Sequence, residues 1–185
     1  MFTQVTPPAT LPIPLDALKA ALRIDRDDED ALLDHVQRTA VTVIERRLDR
    51  ALLRQSWSLS VQALPQGPLA LRPGQVVSID SVEATYGAAT PFTLREDAIK
   101  KRLGDDAWVC VELPYTQGTD TFSSLTISFS AGAEDAGALP ADLLHAVYLL
   151  SAHYYEEREL FRRDRYVPVP LSVDALIAPY RLVRL

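Results

Sequence analysis

The sequence predicts an α+β fold: a small helical bundle formed by both chain ends, with a β-rich antiparallel insertion between the second and third helices. Three observations predict it. Residues 15–53 and 139–178 repeat apolar side chains at spacings of three and four, the period of an α-helix. From about residue 54 to about 130 the period drops to two, and turn residues recur every eight to twelve positions or so, as in antiparallel sheets. Neither helical end has enough partners nearby to bury its stripe, so the two are expected to pack together while the insertion projects from them. At 185 residues the chain is long enough for one domain with a real core, and 1–185 reads as a single domain.

Taken in order, residues 1–14 carry four prolines and no period, which reads as an extended arm. Residues 15–23 form a short helix with Leu15, Leu18 and Leu22 on one face. The run Asp25-Arg26-Asp27-Asp28 breaks it and offers N-cap candidates for a second helix over about 29–50. There Leu32, Val36, Ala40, Val43 or Ile44, and Leu48 make the buried stripe, and Asp34 and Arg38 are spaced as a favourable i,i+4 pair. Trp57, Leu59, Val61 and Ala63 then alternate with Ser56, Ser58, Ser60 and Gln62, a half-buried strand. Pro65-Gln66-Gly67-Pro68 is a turn. Further short strands are expected at 69–71, 76–79, 82–86, 92–94, 108–113 and 125–129, and the loop 131–137 leads to the next helix.

That helix, 139–163, organises the rest. Pro140 suits a first helical position, where its missing N–H would be unpaired anyway, and Asp142 suits the positive helix end. Leu143, Val147, Leu150 and Tyr154 form one face; Leu144, Tyr148, Ser151 and Tyr155 form a flanking stripe. More than half of the circumference is therefore apolar, as for a helix covered on two sides. Glu159 and Arg163 are spaced as an ion pair near its end. The prolines at 168 and 170 forbid a helix over 166–171, Ser172 is placed to cap a last short turn over 173–178, and Pro179 ends it. Residues 166–185 thus read as a second extended arm.

Composition excludes several classes. Apolar residues make up 48% and charged residues 24%, as in ordinary globular proteins, and no apolar run approaches a membrane span. The first fifteen residues lack the basic start and apolar stretch of a signal peptide. Cys110 is the single cysteine, so no intrachain disulfide forms, and its alternation with Val109 and Val111 marks it as packing. The net charge of −6, evenly spread, argues against a phosphate-backbone binder. Asp25, Asp27, Glu29 and Asp30 resemble a calcium loop, but the positions that need Gly and Glu hold Asp30 and Val36. His145, His153 and Glu156 fall short of a zinc or di-iron ligand set. No nucleophile elbow, phosphate-binding loop, dinucleotide fingerprint or zincin motif occurs. The chain therefore reads as a protein without catalytic residues, metal or cofactor. Arg46, Arg47, Arg50 and Arg54 form a small basic cluster, a candidate contact with DNA or an acidic partner.

Several stretches, in order, carry a resemblance. They are LPIPLDALKAALRIDRDDEDALLDHVQRTAVTVIERRLDRALLRQSW at the start, LPADLLHAVYLLSAHYYEERE near the end, and the terminal VPLSVDALIAPYRLVRL. Together they cover somewhat under half of the chain. The chain resembles the head–tail connector (adaptor) proteins of long-tailed phages and the related gene transfer agents. The resemblance implies a helical bundle with a β-rich insertion and no active site. It implies a ring, of twelve subunits, docked beneath the portal protein at the head–tail junction of a virion or phage-like particle. Such a ring is assembled in the bacterial cytoplasm, lets DNA pass without sequence recognition, and receives a stopper or tail-completion protein below. Within that frame Leu144, Tyr148 and Tyr155 are the expected subunit-interface residues, and Pro179, Tyr180, Arg181, Leu182 and Arg184 the expected portal-docking residues. Two other classes compete: a monomeric or dimeric cytosolic protein-binding module, and an enzyme built on the insertion, which would need a clustered polar site.

Overall fold

The computed structural model describes residues 1–62, 67–87, 90–112, 122–157, 161–162, 165–166 and 171–181. The α+β class holds: among the described residues, four α-helices accompany antiparallel sheets. The chain gathers into two compact units, Thr10–Leu53 with Ala133–Leu185, and Met1–Ala9 with Arg54–Gly132.

The first unit is helical. α1 (Leu15–Leu22) and α2 (Asp30–Leu48) both end on a residue in the left-handed region, Arg23 at φ 58° and Asp49 at φ 52°. The acidic run between them does not cap α2 as its composition suggests. Glu29 holds the cap position without a side-chain bond to the helix, and Lys19 of α1 takes the carboxylates of Asp27 and Asp30 instead. A cation reaching two carboxylates from a neighbouring helix outcompetes the weaker backbone cap. α3 (Ala141–Glu156) opens one residue later than expected, with Pro140 at its cap, and stops before residue 163. Glu156 and Glu157 place two carboxylates at the negative end of the helix, which disfavours continuation. The expected pair Glu159–Arg163 lies outside the described residues.

α4 (Leu171–Ile177) continues as a 3₁₀ turn, Ala178–Tyr180. The short turn expected over 173–178 is thus present and begins two residues earlier, at Leu171, so that Ser172 sits inside the first turn rather than capping it. The reason is burial: Val173 and Ile177, one turn apart, are both fully buried against α3. The core of this unit joins Ala40, Val41, Ile44 and Leu48 of α2 to Leu143, Ala146, Val147 and Leu150 of α3, with Leu52, Leu53, Ala133 and Leu139 closing it. Gln37 is buried on α2 and donates its amide to the carbonyl of Ile13 at 2.8 Å, which fixes the entry to α1.

The second unit is built on β8 (Phe122–Ala131). It lies between β2 (Gln55–Val61) and β4 (Val76–Tyr86), with β5 (Phe92–Thr93) beyond β4. β8 alternates strictly: Leu125, Ile127, Phe129 and Ala131 are fully buried, and Ser124, Thr126, Ser128 and Ser130 face the other way. Two strands expected at 76–79 and 82–86 are one, because register shifts after Val76 and after Ile79 absorb the interruption as bulges. A three-stranded sheet runs β3 (Leu69–Ala70), β7 (Trp108–Val111), β6 (Ile99–Arg102). Gly104, at φ 101°, exchanges both backbone hydrogen bonds with Val76, a conformation that disfavours any residue with a side chain.

The N-terminal arm is the main departure. Phe2–Thr6 is a strand, β1, on the outer edge of β2, pairing Phe2 with Leu59, Thr3 with Ser58 and Gln4 with Trp57. Of the turn at 65–68, residues 65 and 66 lie outside the described residues. So do residue 113 and the prolines at 168 and 170. Described residues near the last two form a two-stranded ribbon, β9 (Phe161–Arg162) and β10 (Arg165–Tyr166).

The Lys19 clamp makes a pH prediction. Its hydrogen bonds to Asp27 and then Asp30 raise the lysine above its ordinary range, and the same bond holds Asp27 below the ordinary carboxylate value. A depressed carboxylate stabilises the fold above its unfolded value of about 4 and loses that effect as pH falls through the folded one; a raised lysine loses it only as pH climbs past about 10.4. Lys19→Met is therefore expected to lower the melting temperature at pH 7 by several times more than at pH 2.5. An equal drop at both pH values would assign the lysine a packing role alone.

Candidate interface surfaces

The residues expected to meet neighbours fall into three groups, and most of them already have partners within the chain. On α3, Leu144 is half-buried and packs against the helical core. Tyr155 is half-buried, and its hydroxyl donates to the carboxylate of Glu29 at the start of α2, 126 positions away. Tyr148 is half-buried and stacks on the exposed ring of His145, with centroids 6.0 Å apart and an interplanar angle of 23°. Helical spacing places all three on one stripe, yet they differ: Leu144 and Tyr155 brace the unit, whereas Tyr148 and His145 present a ring pair outward.

At the C-terminal end, Pro179 is exposed within the 3₁₀ turn. The ring of Tyr180 packs against the helical core, and its hydroxyl donates to Asp142 at 3.3 Å. Burial, followed by the Asp142 carboxylate, pushes this phenol above its ordinary value. Arg181 reaches Asp174 of α4 at 3.1 Å. Leu182 and Arg184 lie outside the described residues.

The same Asp174 oxygen receives Arg47 at 2.6 Å, so one carboxylate of α4 is held by two guanidinium groups. This takes Arg47 out of the basic cluster as a free cation. Arg46 is exposed and Arg50 half-buried in the helical unit, and Arg54 is exposed at the start of the sheet unit. The pairs Tyr155–Glu29 and Arg47–Asp174 escaped sequence reasoning because each spans more than a hundred positions. No local spacing signals such a pair.

Among the described residues, no group of three or more His, Cys, Asp or Glu side chains is placed to hold a metal ion. No helix among them is long and apolar enough to cross a membrane.

No family model matches the chain, and no curated protein matches it. Solved structures do. The chain is similar to one in the neck of an empty gene transfer agent particle computed with C6 symmetry, at 26% identity and a TM-score of 0.80. It is similar to one in the virion of a native gene transfer agent particle, at 27% identity and a TM-score of 0.77. A third, in the neck of the native particle computed with C12 symmetry, gives 29% identity and a TM-score of 0.71. Each match covers 100% of this chain and 97% of the other. The likeness thus spans both units and reaches well beyond the helical stretches that carry the resemblance in sequence.

The hydroxyl of Tyr155 separates bracing from docking. Tyr155→Phe is expected to lower the unfolding free energy by about 0.5–1.5 kcal/mol, the net worth of a hydrogen bond, while Tyr148→Ala lowers it by less than a buried aromatic would. Denaturant titrations of the two variants check this. A Tyr148→Ala loss of about 3 kcal/mol or more would make Tyr148 a core residue.

Proposed function

We propose that the protein is a structural component of a phage-like particle. It serves there as the head–tail adaptor, whose subunits form a ring under the portal and join the DNA-filled head to a stopper or tail-completion protein. The observation that carries this reading is the full-length likeness to neck chains of gene transfer agent particles, one of them in a structure computed with C12 symmetry. The sequence supports it independently through the order of its matched stretches. A cyclic ring needs heterologous contacts, in which one surface of a subunit meets a different surface of the next. The Tyr148–His145 ring pair offers one such surface: large aromatics anchor interfaces, and here the pair stands outside the core. The protein acts by shape and assembly, with no chemical step.

Portal docking falls to the C-terminal end in this reading. Pro179, Tyr180 and Arg181 form a turn already braced by Asp142 and Asp174, so little conformational entropy is lost when it is recognised. Leu182 and Arg184 follow that turn in the sequence and complete the proposed docking set. DNA passes through the ring without sequence recognition, which a chain of net charge −6 favours because it offers phosphates few lasting contacts.

Native mass measurement tests the proposal on the protein alone and on the protein mixed with a portal. A twelve-subunit species, free or portal-bound, is the expected result. Deleting residues 182–185 leaves Tyr180 and Arg181 in place. The shortened protein is expected to keep its melting temperature within a few degrees, lose portal binding, and leave filled heads without tails. A protein that stays monomeric in both mixtures, or a shortened one that still joins heads to tails, would overturn the respective assignment.

A further inference from the structure

Exposed large apolar side chains are few among the described residues, and outside the N-terminal strand two of them adjoin. Val77 of β4 and Leu103, the residue after β6, are 41% and 42% exposed. They flank the bridge in which Val76 and Gly104 exchange both backbone hydrogen bonds, so they stand opposite each other on two antiparallel segments. Beside a hydrogen-bonded pair of this kind, opposed side chains approach most closely. The backbone is shaped to put them there. Val76 is buried, but β4 slips its register against β8 at Val77, and such a bulge re-aims the side chain it carries. Gly104 takes φ 101°, which a residue with a side chain rarely adopts.

The charges around this aliphatic pair are not all settled within the chain. Lys100 meets Glu112 and Lys101 meets Glu96. Arg102 and Asp106, on either side of Leu103 in the sequence, are exposed, and among the described residues neither has a partner. An apolar centre with open charges at its margin is the anatomy of a protein interface, where arginine is enriched. The Tyr148–His145 stack of the helical unit has the converse makeup. It presents flat aromatic area, and its imidazole, which can donate to a carboxylate, has no hydrogen-bond partner among the described residues.

We infer that the Tyr148–His145 stack of one subunit seats on the Val77–Leu103 pair of the next. The aromatic slab covers the two aliphatic side chains, the imidazole donates to the carboxylate of Asp106, and the guanidinium of Arg102 lies at the rim against the tyrosine ring. A cyclic ring needs two different surfaces on each subunit, and this contact uses one from the helical unit and one from the sheet unit. Stack against stack, or aliphatic pair against aliphatic pair, would close a two-fold dimer instead and leave the donor and the carboxylate unmatched. The contact presupposes the ring proposed above.

A double-mutant cycle, read by native mass with a portal present, tests the pairing. Leu103→Ala and Tyr148→Ala are each expected to raise the protein concentration at half assembly by about tenfold or more, as truncated interface anchors do. Leu103 is exposed, so its variant is expected to keep the melting temperature of the full chain within a few degrees. Combined, the two substitutions are expected to add little to either alone, because both remove one contact. Two effects that multiply overturn the pairing, and so do rings from either variant at unchanged concentration. As a second measurement, Asp106→Cys with His145→Cys in a Cys110→Ser background is assembled, treated with a short thiol-to-thiol cross-linker and run on a denaturing gel. The expected product is a ladder of covalent oligomers rising toward the ring, absent from each single variant. Single chains from a protein that forms rings overturn the contact and leave the adaptor reading standing. A protein that stays monomeric even with a portal overturns both.

Discussion

The apolar face shared by α2, α3 and α4 is the constraint from which the remaining architecture follows. Ile44, Leu143, Val147, Leu150, Val173 and Ile177 are all fully buried, yet α2 and α3 are separated in sequence by the whole β-rich insertion. Each such side chain contributes about 1.5–3 kcal/mol when removed from water, and neither helix has another surface to spend it on. The chain must therefore leave the helical unit and return to the same place. It does so at Leu53 and Ala133, which bridge in parallel, with the amide of Ala133 donating to the carbonyl of Leu52 at 2.9 Å. Two residues further on each side, Gln55 and Ala131 are opposed at the ends of β2 and β8. Pinning both ends of the insertion so close together makes β2 and β8 neighbours, and the order of the five-stranded sheet grows outward from that pair.

Charge reinforces this geometry by joining helices rather than by decorating surfaces. Lys19 binds α1 to the start of α2, Tyr155 binds the end of α3 to Glu29, and Asp174 gathers Arg47 and Arg181 around α4. Partly exposed contacts of this kind contribute modestly each. Their value is placement, since each fixes the angle at which one element meets the next and so fixes what the outer surface presents.

The sequence made the helical half of this legible and the sheet half only in outline. α1, α2 and α3 announce themselves through three and four spacing, because a helix facing one core leaves that period in the chain. β8 and β2 show strict alternation for the matching reason. β1 escaped because a strand exposed on both faces has no side-chain period at all: FTQVT carries no inward-facing set. β6 escaped because its sequence, IKKR, follows the needs of an edge. α4 was obscured by its prolines, which forbid a helix just before Leu171, so that the short buried turn after them read as part of an arm. Among the surface residues, the stripe of Leu144, Tyr148 and Tyr155 was visible, but which member braces and which is left outside depended on Glu29, far away in the chain.

In the proposed role the protein is a conduit for DNA, and a conduit must avoid holding what it passes. Each lysine or arginine that meets a phosphate releases a counterion and adds affinity, so a ring lined with free cations would retard the strand it is meant to pass. Here much of the basic charge is engaged locally. Lys19, Arg38, Arg47, Lys100, Lys101 and Arg181 all face carboxylates within 3.3 Å. The outer side of the central sheet is made of small hydroxyls, with Ser56, Ser130 and Ser78 in one row and Ser58, Ser128 and Ser81 in the next. Asp80 accepts from Ser78 and Ser130 along its margin. Such a face is polar enough to stay wet, too small in its side chains to grip, and slightly negative where it carries charge. Net charge alone would not have distinguished this arrangement from a surface of alternating free cations and anions; the pairing of individual residues does, and it is the pairing that suits the role proposed above, in which DNA moves past the subunit.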